Sequence, residues 1–214
     1  MDGTFASSWR PGDVTTGSVW DALALPILAL PAARRRRVLI LGLGGGSAAR
    51  LIRALAPKAT IVGVEYDAAV VRAARQHFAL DALGLEVVTG DARRYLETNR
   101  RRFDLVVDDV FVGRGFAVRK PDWLPDPGLG LAAARVAPGG LLVSNTIDET
   151  PAVAAYLRAR FPARLRIGIE GYDNRVLVAG PVGTNGRMLR AATAAEPLLA
   201  DTLPRLRFLT LPLD

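Results

Sequence analysis

The 214-residue chain contains no cysteine, so neither a disulfide framework nor a thiolate metal site can form. Histidine occurs once, at His77, within a helical pattern and with no acid arranged around it. It reads as an ordinary helix residue, and no metal site is expected. No stretch approaches the ~20 unbroken apolar residues that a membrane helix needs. The longest apolar run, Ala22 to Ala33, precedes its arginine cluster, Arg34 to Arg37, whereas a secretion signal has the reverse order. A soluble, cytoplasmic protein is expected. Lysine is confined to Lys58 and Lys120, so the net charge of +7 is almost wholly arginine. Aromatic residues make up only 7% and do not interleave with the basic ones. The charge therefore reads as spread over the surface, and nucleic acid is the lesser reading for a partner, left open.

What is present suits one α/β domain, since half of the residues are hydrophobic and the length can enclose a full core. Short, apolar, β-branched runs at 38–41, 60–64, 85–88, 103–107 and 141–144 read as strands buried on both faces. Between them, segments 46–56, 67–79, 91–99, 128–137 and 150–161 space their apolar residues at helical intervals. This alternation predicts a doubly wound, mostly parallel sheet. Beyond residue 162, runs 164–170 and 174–180 flank a Gly171-Tyr172-Asp173-Asn174 turn and predict an antiparallel hairpin on one edge. Residues 1–37 read as an appendage docked by Trp9, Trp20 and the apolar run, leaving 38–214 as the domain proper. The Gly- and Pro-rich segment 110–127 follows the fourth strand, at the end of such sheets where ligands bind, and reads as a lid.

The strongest local signal is Gly42-Leu43-Gly44-Gly45-Gly46-Ser47, between the first strand and the first helix of the alternating pattern. Such glycines turn the chain tightly and bring its backbone close to a nucleotide at a helix N-terminus. Glu65, at the end of the second strand and about 20 residues further on, is placed to accept ribose hydroxyls, whether of a dinucleotide or of an adenosyl cofactor. Asp91 in Gly90-Asp91-Ala92 either reads an adenine amino group or caps the next helix, and one carboxylate can do both. Consecutive strand residues point to opposite faces, so only one of Asp108 and Asp109 should face the cleft, the other capping or pairing with a neighbouring arginine.

These runs, continued by Tyr95-Leu96, by Pro138-Gly139-Gly140-Leu141 before Asn145, and by Asn174-Arg175-Val176-Leu177-Val178-Ala179, resemble spermidine synthase-like proteins of the class I methyltransferase superfamily over roughly residues 36–180. The resemblance implies a Rossmann-like methyltransferase fold. It implies that the loop of Gly42, Gly44 and Gly46 holds the methionine-derived part of S-adenosylmethionine, or of its decarboxylated form. Glu65 would hold the ribose, Asp91 and Ala92 the adenine, and Asp109 would be the acceptor-side base. The departures are specific. Gly45 stands where the family's aminopropyl transferases carry an acid for the donor amine, and Val112 and Gly113 stand where they carry a second acceptor acid and a proline. Their N-terminal glutamine and Tyr-His-Glu gate have no counterpart, since the sole glutamine is Gln76.

The leading expectation is methyl transfer from S-adenosylmethionine to a small acceptor. Aminopropyl transfer to a polyamine is the alternative. A nicotinamide dehydrogenase, a non-catalytic nucleotide-binding module and an RNA methyltransferase stand further back. Because the lid carries Arg114, Arg119 and Lys120 against Asp122 and Asp126, a neutral or carboxylate-bearing acceptor is expected over a polyamine. Asp108→Asn is expected to leave turnover near wild type. A homodimer is left open.

Overall fold

The computed structural model describes residues 7–113 and 115–212. In chain order its regular elements are α1 (Val19–Ala24), β1 (Arg37–Leu41), α2 (Ser47–Leu55), β2 (Thr60–Glu65), α3 (Ala68–His77), β3 (Glu86–Thr89), α4 (Ala92–Thr98) and β4 (Phe103–Asp108). The second half adds α5 (Gly128–Ala133), β5 (Val136–Thr146), α6 (Thr150–Arg158), β6 (Ala163–Ile169), β7 (Arg175–Gly180), α7 (Gly186–Ala194) and β8 (Leu206–Thr210). All eight strands form one sheet in the order β3-β2-β1-β4-β5-β7-β6-β8. β1 to β5 are mutually parallel, and β7, β6 and β8 continue from β5 as an antiparallel edge. The sheet is thus doubly wound and mostly parallel, with the expected C-terminal hairpin extended by one further strand.

The sheet separates two apolar layers, and strand alternation supplies both. Val38 and Ile40 of β1 enter the layer shared with α1, α2 and α7, whereas Leu39 and Leu41 enter the layer shared with α4, α5 and α6. Burial on both faces explains why these strands read as continuous apolar runs. The apolar run of the N-terminal segment is part of this core: Leu23, Leu25 and Ile27 are fully buried in the same cluster as the first face of the sheet. Trp9 lies under the guanidinium of Arg50, 4.6 Å from its ring centre.

One element differs from its sequence pattern. The helix expected over 128–137 stops at Ala133, and Val136 and Ala137 already belong to β5. Pro138 disfavours a helical conformation at Ala137, which ends the alanine-rich run earlier than its periodicity suggests.

Candidate active site

Parallel strands place all their C-terminal ends on one rim, and the loops that leave β1, β2, β3 and β4 meet there around a cavity of about 1110 Å³. Six of the residues singled out in the sequence line it: Gly42, Gly44, Glu65, Asp91, Ala92 and Asp109. Gly46 does not. It sits behind the loop as the N-cap of α2, at φ +84°, where a side chain would run into Leu80.

The glycine loop is held by what surrounds it. Gly42 and Leu43 both donate to the carbonyl of Val64, and the Gly44 N–H donates to Glu65 Oε2 at 2.8 Å. Glu65 also accepts from the Asp67 N–H through Oε1, at 3.0 Å. The carboxylate therefore braces the loop from β2 while keeping lone pairs for a ligand. Gly42 has φ +81°, and a Cβ there would collide with the backbone carbonyl of Asp109, so the loop after β1 and the end of β4 touch main chain to main chain. The Gly45 N–H donates to Ser7 Oγ at 2.6 Å, and a Cβ on Gly45 would lie 2.8 Å from Ser7 Cβ and 2.9 Å from Phe78 Cδ1. An acid cannot occupy this place without displacing the N-terminal segment. Asp91 accepts from the Arg94 N–H at 2.7 Å, so it caps α4 and also lines the cleft.

The two consecutive acids part as strand alternation requires. Asp108 is buried behind the rim, where both its oxygens receive Lys120 Nζ at 2.9 Å and Oδ2 receives Ser144 Oγ at 2.6 Å. Its partner is thus lysine, not the arginine expected from the sequence. Asp109 faces the cleft and accepts from Asn145 Nδ2 at 2.7 Å, and Asn145 Oδ1 in turn accepts from Asn174 Nδ2 at 3.0 Å. Burial pushes the Asp109 carboxyl up to about 7; the Asn145 hydrogen bond and the Lys120 charge pull it down, and the nearby charges of Asp108 and Glu65 add to the rise.

Asn145 and Asn174 complete this array, although the sequence reading gave them no role. For Asn145 the signal was available, because it lies near the C-terminal end of the fifth strand beside Asp109, with Ser144 registered against Asp108. Ser8, Thr16, Ser18 and Trp20 of the N-terminal segment also line the cleft and were not anticipated. The basic lid is corrected. Lys120 is 4% exposed and neutralised by Asp108, and Arg119 lies 3.7 Å from Asp122. Arg114 is outside the described residues. The described lining carries Glu65, Asp91 and Asp109 and no cation. His77 is exposed at the end of α3, far from a role here, and no cluster of metal-binding side chains occurs among the described residues.

A sheet of this order, with a glycine loop after β1 and acids at or just after the ends of β2, β3 and β4 on one rim, has the Rossmann-like methyltransferase fold, the fold also seen in solved methyltransferase and spermidine synthase structures. The methyltransferase domain profile matches residues 38–120. The chain is 32% identical over 170 residues to the polyamine aminopropyltransferase of Chromobacterium violaceum, which covers 78% of this chain and 60% of that protein. It spans between 28% and 60% of the length of the curated relatives it matches. Human methyltransferase-like protein 13, solved in complex with SAH, superposes with a TM-score of 0.67 at 23% identity over 88% of this chain and 93% of that one. A probable spermidine synthase from Corynebacterium glutamicum gives 0.68 at 21% identity, over 89% and 73%.

Proposed function

We propose that the chain is a transferase that binds S-adenosylmethionine in this cleft and passes its methyl group to a small acceptor, with Asp109 as the acceptor-side base. The observation that carries the reading is Asp109 itself, a carboxyl with a pKa of about 7, fixed by Asn145 in the same cleft as the glycine loop and Glu65. The residues present fit the donor. Gly42 and Gly44 offer close backbone at the N-terminal side of α2, Glu65 offers free lone pairs for ribose hydroxyls, and Val64, Val70 and Ala92 offer an apolar wall for a base. When bound, the donor supplies a carbon activated by sulfonium. The chain's own part is to place an acceptor amine or hydroxyl beside that carbon, exclude water and take the acceptor's proton on Asp109. Asn145 holds the receiving oxygen in place. The cytoplasmic setting expected from the sequence belongs to the same reading; among the described residues no helix is long and apolar enough to cross a membrane.

Aminopropyl transfer from the decarboxylated donor is the second reading. It is favoured by the polyamine aminopropyltransferase relatives and by the acidic, cation-free described lining. Against it stands Gly45, whose N–H is engaged by Ser7 where the aminopropyl transferases carry a carboxylate. Calorimetric titration with both donors separates the two. S-adenosylmethionine is expected to bind more tightly, and Glu65→Ala is expected to cost about 1–3 kcal/mol of that affinity. A preference for the decarboxylated donor promotes the second reading, and unchanged affinity in folded Glu65→Ala removes the ribose role.

A further inference from the structure

The opposite end of the sheet has the opposite charge. Parallel strands gather their N-terminal ends as surely as their C-terminal ones, and here the residues that enter them are basic. Arg34, Arg35 and Arg36 precede β1, which opens on Arg37; Lys58 stands two residues before β2; Arg100, Arg101 and Arg102 immediately precede β4; and Arg135 immediately precedes β5. Only Asp104 and Glu86 oppose them on these strand ends. Asp104 is shared by Arg34 at 3.8 Å and Arg37 at 3.9 Å, while Glu86 takes Arg101 at 2.8 Å. Arg36, Lys58 and Arg100 are exposed, and no carboxylate among the described residues lies within ion-pair distance of them. Arg135 is held below the usual arginine value, first by burial and then by the charges of Arg100 and Arg102, so these cations crowd one another. Across the entries of β2, β1, β4 and β5 the surface is concave, a hollow of about 680 Å³ whose polar lining is Arg34, Arg36, Arg37, Lys58, Thr60 and Asp104, with Ala33, Ala137 and Pro138 between them. The sequence suggested cations scattered over the surface; parallel topology collects nine of them at one end.

We infer that this basic end of the sheet is a binding site for the phosphate backbone of a double-stranded nucleic acid, separate from the candidate active site at the other end. Clustered exposed cations gain affinity for phosphates by releasing condensed counterions. The exposed large apolar side chains, Tyr66, Val112, Tyr172, Val182, Leu198 and Leu209, all lie outside these segments. Among the described residues, base stacking on a single strand and apolar anchoring in a membrane surface both lack their side chains on this face. The hollow suits a ridge of phosphates more than a flat bilayer. From β2 through β1 and β4 to β5 are three strand spacings, about 14 Å. With one phosphate per ~3.4 Å along each strand of a duplex, the face meets about four phosphates and reads no bases.

Fluorescence anisotropy with a labelled DNA duplex of about 20 base pairs, and with the RNA duplex of the same sequence, tests this. The logarithm of the wild-type association constant should fall against log salt with a slope near −4, a loss of about 200-fold between ~50 and ~200 mM. Arg36→Glu/Lys58→Glu/Arg100→Glu should weaken binding more than tenfold and bring the slope to about −1, since each lost phosphate contact removes roughly one unit. The Gln triple at the same positions should move the same way and covers failure of the Glu triple to fold, with circular dichroism reporting the fold. Arg72→Glu/Arg94→Glu/Arg190→Glu, three exposed arginines on α3, α4 and α7, makes the same change in net charge and should stay within threefold of wild type. Equal losses in both Glu triples reduce the effect to net charge and overturn the site. Absence of duplex binding by the wild type at ~50 mM salt, or equal binding to phosphatidylserine vesicles, also overturns it. None of these outcomes bears on S-adenosylmethionine binding at the far rim.

Discussion

At the scale of single residues the decisive contrast is between two neighbouring aspartates. Asp108 meets a buried ammonium and Asp109 meets an amide, and burial raises the Asp109 carboxyl to about 7, where it can exchange a proton near neutrality. Asp109→Asn keeps shape and can still accept from Asn145, yet cannot act as a base. Turnover is expected to fall by about 10²–10⁴ while donor affinity changes less than tenfold. In the wild type kcat/KM should rise with pH through about 7, because only the ionised carboxylate takes the acceptor's proton. That inflection should vanish in Asp109→Asn and move upward in Asn145→Ala, which removes a hydrogen bond that favours the charged form. A wild-type profile flat across neutrality would leave the acceptor arriving already deprotonated. Strand alternation made the division between the two acids legible in the sequence. The lysine partner and the Asn174 end of the relay were not legible, since Lys120 and Asn174 reach the rim from segments that no local pattern ties to the two acids.

At the scale of elements, the described part of segment 110–127 is less a loose lid than a clamped arch. Val112 and Arg119 exchange backbone hydrogen bonds at 2.8 and 2.9 Å, the Lys120 N–H donates to Glu149 Oε1 at 2.7 Å, and Lys120 Nζ reaches under the arch to Asp108, resting 4.4 Å from the ring centre of Phe111. Asp108 is therefore not the neutral control that alternation alone suggests. Asp108→Asn leaves an ammonium buried without its counter-charge, which typically costs about 3–5 kcal/mol, and the double variant Asp108→Asn/Lys120→Met should recover much of that loss. Urea denaturation measures both, and a single variant within ~1 kcal/mol of wild type would mean that Lys120 does not hold the arch. The parallel half of the sheet was legible because each strand is an unbroken β-branched run buried on both faces. By contrast α1 and the apolar run it leads into read as part of a docked appendage, and only their packing against α2 and the sheet shows them within the core. The sequence pattern predicts no element beyond the hairpin; β8 is set by tertiary pairing with β6, and α7 packs against both.

At the scale of the whole molecule, charge is sorted along the strand axis, with carboxylates converging on the rim and arginines on the opposite end. Crowding Glu65, Asp108 and Asp109 at one rim has a thermodynamic signature. The folded-state pKa of Asp109, about 7, lies above the ordinary aspartate value of 3.8 that the unfolded chain approaches, so between these values the native state binds a proton that the unfolded state releases. Its stabilising contribution is complete below about pH 4 and is lost as pH rises through about 7. Wild-type stability should accordingly decline between pH 5 and 8 by on the order of 2–3 kcal/mol, each unit of pH within the window being worth about 1.4 kcal/mol. Glu149, held below its usual range because backbone N–H groups of Lys120 and Ile147 outweigh its burial, acts in the reverse sense, but only in more acid solution. Asp109→Asn should flatten the decline, since an amide has no proton to lose. A bound sulfonium cation favours the ionised carboxylate, so stabilisation by S-adenosylmethionine should be larger at pH 8 than at pH 5.5 in the wild type, and equal at both in Asp109→Asn. Chemical denaturation across this pH range, with and without the donor, distinguishes the possibilities. If Asp109→Asn keeps the wild-type slope, the proton belongs to another group and the rim carboxylate is ionised throughout.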